Sequence, residues 1–163
     1  MTSKVDASER IPVNQPVVSE AAKQRVMQTL ASGWLSGAGP VVAEFEQAFA
    51  ACVGATHGVA TGSGTTALHL ALCAAGIAAG DEVIVPDFTI FATLAAVMYC
   101  GARPVCVDVD PRTFTIDPAA VRAAISARTR AIIAVHIYGH SADIHALRAL
   151  APDHQLLLIE DAA

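Results

Sequence analysis

Lysine is almost missing from this chain: Lys4 and Lys23 are the only two, so no amine nucleophile stands anywhere downstream of position 23. Positive charge is sparse altogether. Ten Lys and Arg face fifteen Asp and Glu, a net charge of −5 with no basic cluster, which excludes the electrostatic footprint of a nucleic-acid binder. Between Gln47 and Gly80 there is no Asp, Glu, Lys or Arg. Gly54, Gly58, Gly62 and Gly64, with threonines among them, interrupt that run and argue against a membrane helix. The N-terminal MTSKVDASERIPVNQP has no apolar core of the kind a signal peptide needs. Cys52, Cys73, Cys100 and Cys106 lie in apolar stretches without a Cys-x-x-Cys pair. That usage points to buried, reduced thiols and a cytoplasmic protein rather than a disulfide framework or a zinc site. The remaining partners are small molecules or other proteins.

What is present is apolar and alternating. With 163 residues, 54% of them hydrophobic, the chain suits one densely buried α/β domain. Ser19 can cap a helix carrying Ala22, Val26 and Leu30 on one face, and a second helix carries Val41, Phe45 and Phe49 at the same spacing. Between them GWLSGAGP (33–40), with the only tryptophan, Trp34, is too rich in glycine for a helix. Five strands are predicted: HGVAT (57–61), EVIVP (82–86), PVCVDV (104–109), AIIAV (131–135) and LLLIED (156–161). They are apolar on both faces, as strands between helix layers must be. Helices are predicted from Gly64 to before Gly76, from Thr89 to Cys100, from the Asp117–Pro118 cap pair onward, and from Asp143 to Leu150, ending before Pro152.

In an open parallel sheet the chemistry sits beyond the carboxyl ends of the strands. There TGSGTT (61–66) opens a helix, either as a well-capped turn or as a cradle whose N–H groups and helix dipole hold a phosphate. Phe88 and Phe91 in PDFTIFAT are core residues or ring-stacking partners. His136 reads most simply as a satisfied buried histidine, and Asp161 as a helix cap, unless the several polar strand ends serve one ligand. Gly62, Gly64 and Ala67 also fit the relaxed dinucleotide fingerprint G-x-G-x-x-A, with Asp87 ending the next strand. His136, His140, Asp143 and His145 match no strong metal spacing, so no metal is expected. Ser63 is flanked directly by glycines, which fails the G-x-S-x-G nucleophile elbow.

At these residues the chain resembles the DegT/StrS-type sugar aminotransferases, pyridoxal phosphate (PLP) enzymes of the aspartate aminotransferase fold, fold type I. The resemblance runs from Pro16 to Ala163 through SGWLSGAGPVVAEFE, TGSGTTALHLAL, GDEVIVPDFTIFAT, GARPVCVDVDPRTFTID, VHIYG and IEDAA, in that order and spacing. It implies a mostly parallel sheet sandwiched by helices, with residues 1–18 an irregular arm and 19–163 the N-terminal part of the large domain. Gly64 and Thr65, with Ser63 nearby, would bind the PLP phosphate, and Asp161 would pair with the pyridine nitrogen. Phe88 is assigned to ring stacking, because the family often has an aromatic where this chain has Ile90. Trp34, Leu35 and Ser36 would lie near the sugar site.

Relatives continue past EDAA with a Gln or His and, later, the lysine that holds the cofactor covalently. Neither is in this sequence, and no catalytic residue is assigned; the chain reads as an N-terminal fragment, inactive alone. The whole protein is expected to use a nucleotide-linked keto-sugar, with glutamate as amino donor, and to be a homodimer; family members with His in place of the lysine are sugar dehydratases. Two other readings stand: a non-catalytic remnant or dimerisation module of the same fold, and an NAD(P)- or nucleotide-binding α/β domain.

Overall fold

A computed structural model of the chain describes residue 12, residues 15–154 and residues 156–163. Most of the expected arm, and Lys4 with it, lies outside the described residues; residues 15–18 carry neither helix nor strand. Two compact units divide between Ala60 and Thr61. Among the described residues no helix is long and apolar enough to cross a membrane.

The first unit holds two helices, α1 (Glu20–Ser32) and α2 (Pro40–Val53). The Ser19 hydroxyl accepts from the Ala22 N–H at 3.1 Å, satisfying one of the donors a helix start leaves open, and Gly33 ends the helix at φ 73°. Pro40 opens α2, where its missing N–H costs nothing. Phe45 and Phe49 share a face, their rings 5.6 Å apart, and Arg25 pairs with Glu44 between the helices. The apolar faces are as predicted but stay open: Val26, Leu30, Phe45 and Phe49 are all more than half exposed.

HGVAT is not a strand. Residues 57–60 lie instead on α2. The Ala60 N–H donates to Glu46 Oε1 at 2.8 Å, and a Cβ at Gly58 would stand 2.5 Å from the Glu46 carbonyl oxygen, a fit only glycine allows. With the Ala60 N–H met by a helix side chain and no ladder partner among the described residues, the segment has nothing to make it β. The sheet therefore has four strands rather than five.

The second unit is that sheet and its two helix layers: α3 (Gly64–Ala74), β1 (Glu82–Pro86), α4 (Phe91–Tyr99), β2 (Arg103–Val107), α5 (Pro118–Ala124), β3 (Thr129–Val135), α6 (Ile144–His154) and β4 (Leu157–Asp161). All pairings are parallel, in the order β2-β1-β3-β4. β2 ends two residues before the predicted Val109, which instead bridges antiparallel to Ile116. α6 runs past Leu150 and carries Pro152 in its last turn, where the missing N–H affects only one helical bond.

Past their first residues the central strands β1 and β3 are apolar, over residues 83–86 and 131–135, because each face meets helices. Val83, Val85, Ala131 and Ile133 pack with Leu68 and Leu72 of α3 and Ala96 and Val97 of α4. Ile84, Ile132 and Ala134 pack with Val121 of α5 and Leu147 and Leu150 of α6. The cysteines correct an expectation: Cys52, Cys73 and Cys106 are exposed and Cys100 is half-buried. An apolar run shorter than an element's circumference still has an outward side.

At the amino edge of the sheet the first residue of β1 is a buried carboxylate. Glu82 accepts from Ser126 Oγ at 2.7 Å, Arg103 Nη2 at 2.7 Å and Arg128 Nη2 at 2.6 Å. Those hydrogen bonds, Ser126 first, lower its pKa from 4.5 to about 2.

Candidate functional site

The carboxyl edge of the sheet gathers most of the polar residues singled out above. β1 leads into Asp87 and Phe88, β3 into His136, and β4 ends at Asp161. Strand order reverses about β1, since β2 lies on one side of it and β3 on the other, which makes this edge the topological switch point.

α3 begins with a full capping box. Ser63 Oγ accepts from the Thr66 N–H at 3.3 Å, and Thr66 Oγ1 accepts from the Ser63 N–H at 3.0 Å. The Ser63 hydroxyl is thereby committed to the cap, while the Gly64 and Thr65 N–H groups, at the first two helical positions, have no intrahelical acceptor. Replacing Ser63 by Ala is expected to lower stability by about 1 kcal/mol in urea melts, the usual value of a side-chain cap.

β4 separates its two acids by parity. Alternate residues of a strand face opposite sides, so Asp161 follows Ile159 toward the α3 and α4 layer while Glu160 follows Leu158 toward α5 and α6. Glu160 is taken up structurally, accepting from Arg148 Nη2 at 3.2 Å and facing His136 Nε2 at 3.2 Å. The other ring nitrogen of His136, Nδ1, accepts the Ala142 N–H at 3.1 Å, which leaves Nε2 to carry the proton and donate to Glu160. His136 is thus a satisfied histidine.

Asp161 is only 8% exposed. Its Oδ1 accepts the Ala163 N–H at 3.1 Å and its Oδ2 faces the Thr93 hydroxyl of α4 at 3.4 Å; Thr93 in turn meets Thr89 at 2.9 Å. A pocket of about 290 Å³ is lined by Gly64, Ala67, Leu68 and Ala71 from α3 and by residues 159–163, Glu160 and Asp161 among them, from the end of β4 onward. Gly64 and Asp161 thus share one mouth. Phe88 is not among its lining residues; its ring packs on Phe114 at 5.8 Å. Trp34, Leu35 and Ser36 belong to the first unit, where Trp34 and Leu35 are exposed and Ser36 Oγ accepts the Ala38 N–H at 3.2 Å.

The sequence reading missed Thr93 and Phe114. Thr93 is a fully buried hydroxyl inside an otherwise apolar helix, four residues from Thr89, and that out-of-place polarity is the signal that marks it. Phe114 sits in a turn at φ 58°, which no pattern announces. The dinucleotide fingerprint needs a strand feeding its glycine turn, and residues 57–61 do not form one. His140, Asp143 and His145 are not drawn together with His136 into a metal-ligating group among the described residues.

A family model described as the DegT/DnrJ/EryC1/StrS aminotransferase family matches residues 16–163. The chain belongs to that family. GDP-perosamine synthase of Caulobacter vibrioides is 48% identical over 154 residues, which are 94% of this chain and 42% of that protein. Among solved structures, NtdA from Bacillus subtilis with bound cofactor PMP superposes with a TM-score of 0.82 at 33% identity, over 94% of this chain and 38% of its own. DesI in the presence of its TDP-sugar product superposes with a TM-score of 0.79 at 42% identity, over 86% of this chain and 36% of its own. The chain thus spans about two fifths of the length of these family members.

Proposed function

We propose that residues 61–163 form the cofactor-binding wall of a PLP-dependent aminotransferase that converts a nucleotide-linked keto-sugar to an amino-sugar, with glutamate as amino donor. One observation carries this reading: the first residue of an eleven-residue helix and a buried carboxylate line the same pocket. The residues fit the group. The Gly64 and Thr65 N–H groups at the positive end of α3 match a phosphate, and a Cβ at Gly64 would sit 3.7 Å from the Ala163 Cβ, in the mouth itself. Asp161, held by the Ala163 N–H and Thr93, matches a protonated ring nitrogen.

When bound, PLP supplies an electron-withdrawing ring that takes up the charge left as the substrate's carbon loses a proton. Asp161 would accept the ring N–H and keep that proton in place. Thr93 would fix the carboxylate's rotamer, Phe88, backed by Phe114, would stack on the ring, and Trp34, Leu35 and Ser36 would shape the sugar side. The substrate class is supported by relatives named for GDP-perosamine and for a TDP-sugar product, and the cofactor by the PMP-bound neighbour. A homodimer is part of the same proposal.

Equilibrium dialysis of the chain against PLP, followed by absorbance, tests it. Binding is expected to be reversible, with no borohydride-trapped adduct on Lys4 or Lys23. Asp161→Asn removes a charge-assisted hydrogen bond of about 1.5–3 kcal/mol, so affinity should fall roughly ten- to hundredfold. Unchanged affinity in that variant would refute the assignment of Asp161, and no binding at all would favour the remnant or dimerisation-module reading.

A further inference from the structure

His69, Cys73 and Cys100 bring their ligand atoms within 4.8 Å of one another, and no other group of three such side chains occurs among the described residues. We propose that these three residues form a binding site for a thiophilic divalent cation, with Zn²⁺ as the cation of choice. The cluster shares no residue with the Gly64–Asp161 mouth.

Geometry supports it first. His69 and Cys73 stand four apart on α3, hence on one face, and Cys100 is the C-cap residue of α4, which packs against α3. The two sulfurs are 3.7 Å apart. In a tetrahedral site with Zn–S bonds of about 2.3 Å, two sulfurs lie about 3.8 Å apart, so the pair already has the spacing of one coordination edge. A disulfide needs the sulfurs at about 2.05 Å, which this pair does not approach.

The third ligand is oriented. The His69 ring meets edge-on, centroids 5.7 Å apart, the ring of Tyr99, the residue that precedes Cys100. Imidazole with two thiolates suits Zn²⁺ and not the hard cations, which require oxygen donors. Binding would form two Zn–S bonds and one Zn–N bond, with the two thiol protons passing to solvent and His69 binding as the neutral ring. Cys73 is exposed, leaving the fourth position to water. The site escapes a search for zinc motifs because twenty-six residues and a β-strand separate Cys73 from Cys100.

The test is a titration of the reduced, metal-stripped chain. Zn²⁺ affinity is read by competition with a chromophoric chelator, and Co²⁺ serves as spectroscopic probe through its tetrahedral bands and thiolate charge transfer. A single Zn²⁺ per chain is expected. Cys73→Ser and His69→Ala should each weaken it at least about 100-fold, while Cys52→Ser and Cys106→Ser leave it unchanged. Cys73 is exposed, so its variant should fold, and circular dichroism checks that. Equal affinity in wild type and Cys73→Ser, or cobalt spectra without thiolate charge transfer, would overturn the site. A reduced chain that takes up no zinc yet forms a Cys73–Cys100 disulfide on mild oxidation would show a redox pair instead.

Discussion

Leu72→Ala is expected to cost about 2–5 kcal/mol in urea unfolding, a large share of the roughly 5–15 kcal/mol that holds a typical domain together. Leu72 is fully buried, on the face of α3 that meets Val83, Val85, Ala131 and Ile133. Truncating it removes apolar contact and leaves a cavity between two rigid layers, neither of which can close onto the other without disturbing the rest of the sheet. The effect should reach the candidate site, because the same helix presents Gly64 and Thr65 at its start. Ser63→Ala, by comparison, removes only a cap on an exposed turn. If Leu72→Ala melts within about 1 kcal/mol of wild type, α3 is not held by that contact and the two-layer description of this unit fails.

Acid should destabilise the protein through Glu82. Its pKa lies at about 2 when folded, against 4.5 ordinarily. The unfolded chain therefore takes up a proton first as pH falls. The Glu82 contribution is fully present above 4.5 and is lost as pH drops through the folded value near 2. The side chain is 3% exposed, whereas Arg103 and Arg128, which reach it from solvent, are each 65% exposed. Glu82→Gln should accordingly lower the melting temperature near neutrality and lose less on acidification, so the two melting curves converge between pH 4.5 and 2. Parallel pH profiles for the two proteins would show that Ser126, Arg103 and Arg128 do not hold the carboxylate charged.

Much of this fold is written locally and can be read there. Ser19 and Asp117 cap the helices they were expected to cap, and the apolar runs within EVIVP and AIIAV mark the two central strands, because a strand covered on both faces has that composition. HGVAT has a comparable composition and is no strand, since a strand is made by its neighbours and this segment's neighbour is Glu46. The exposure of Cys73 and Cys106 was illegible for a related reason: an apolar run says nothing about which of its residues faces outward. At the candidate site, the capping turn before Gly64 and the strand end at Asp161 were legible, and these are the places the structure brings to one mouth. The polarity of Thr93 was legible but its partner was not, because that partner is 68 residues away.

The alternation along β4 has a consequence for how this protein can change. Length is not negotiable within the strand: deleting a single residue such as Ile159 would rotate every later side chain to the opposite layer. Asp161 would then take the place now held by the acid that Arg148 and His136 clamp, Glu160 would take the place of Ile159 on the opposite layer, and Ala162 would stand beside Thr93, although the composition of the strand end would barely alter. The ladder of β3 against β4, from Ala131 opposite Leu157 to Val135 opposite Asp161, works as a ruler with marks one residue apart. A variant that keeps both acids but miscounts by one would still melt as an α/β protein while presenting the wrong carboxylate to the pocket.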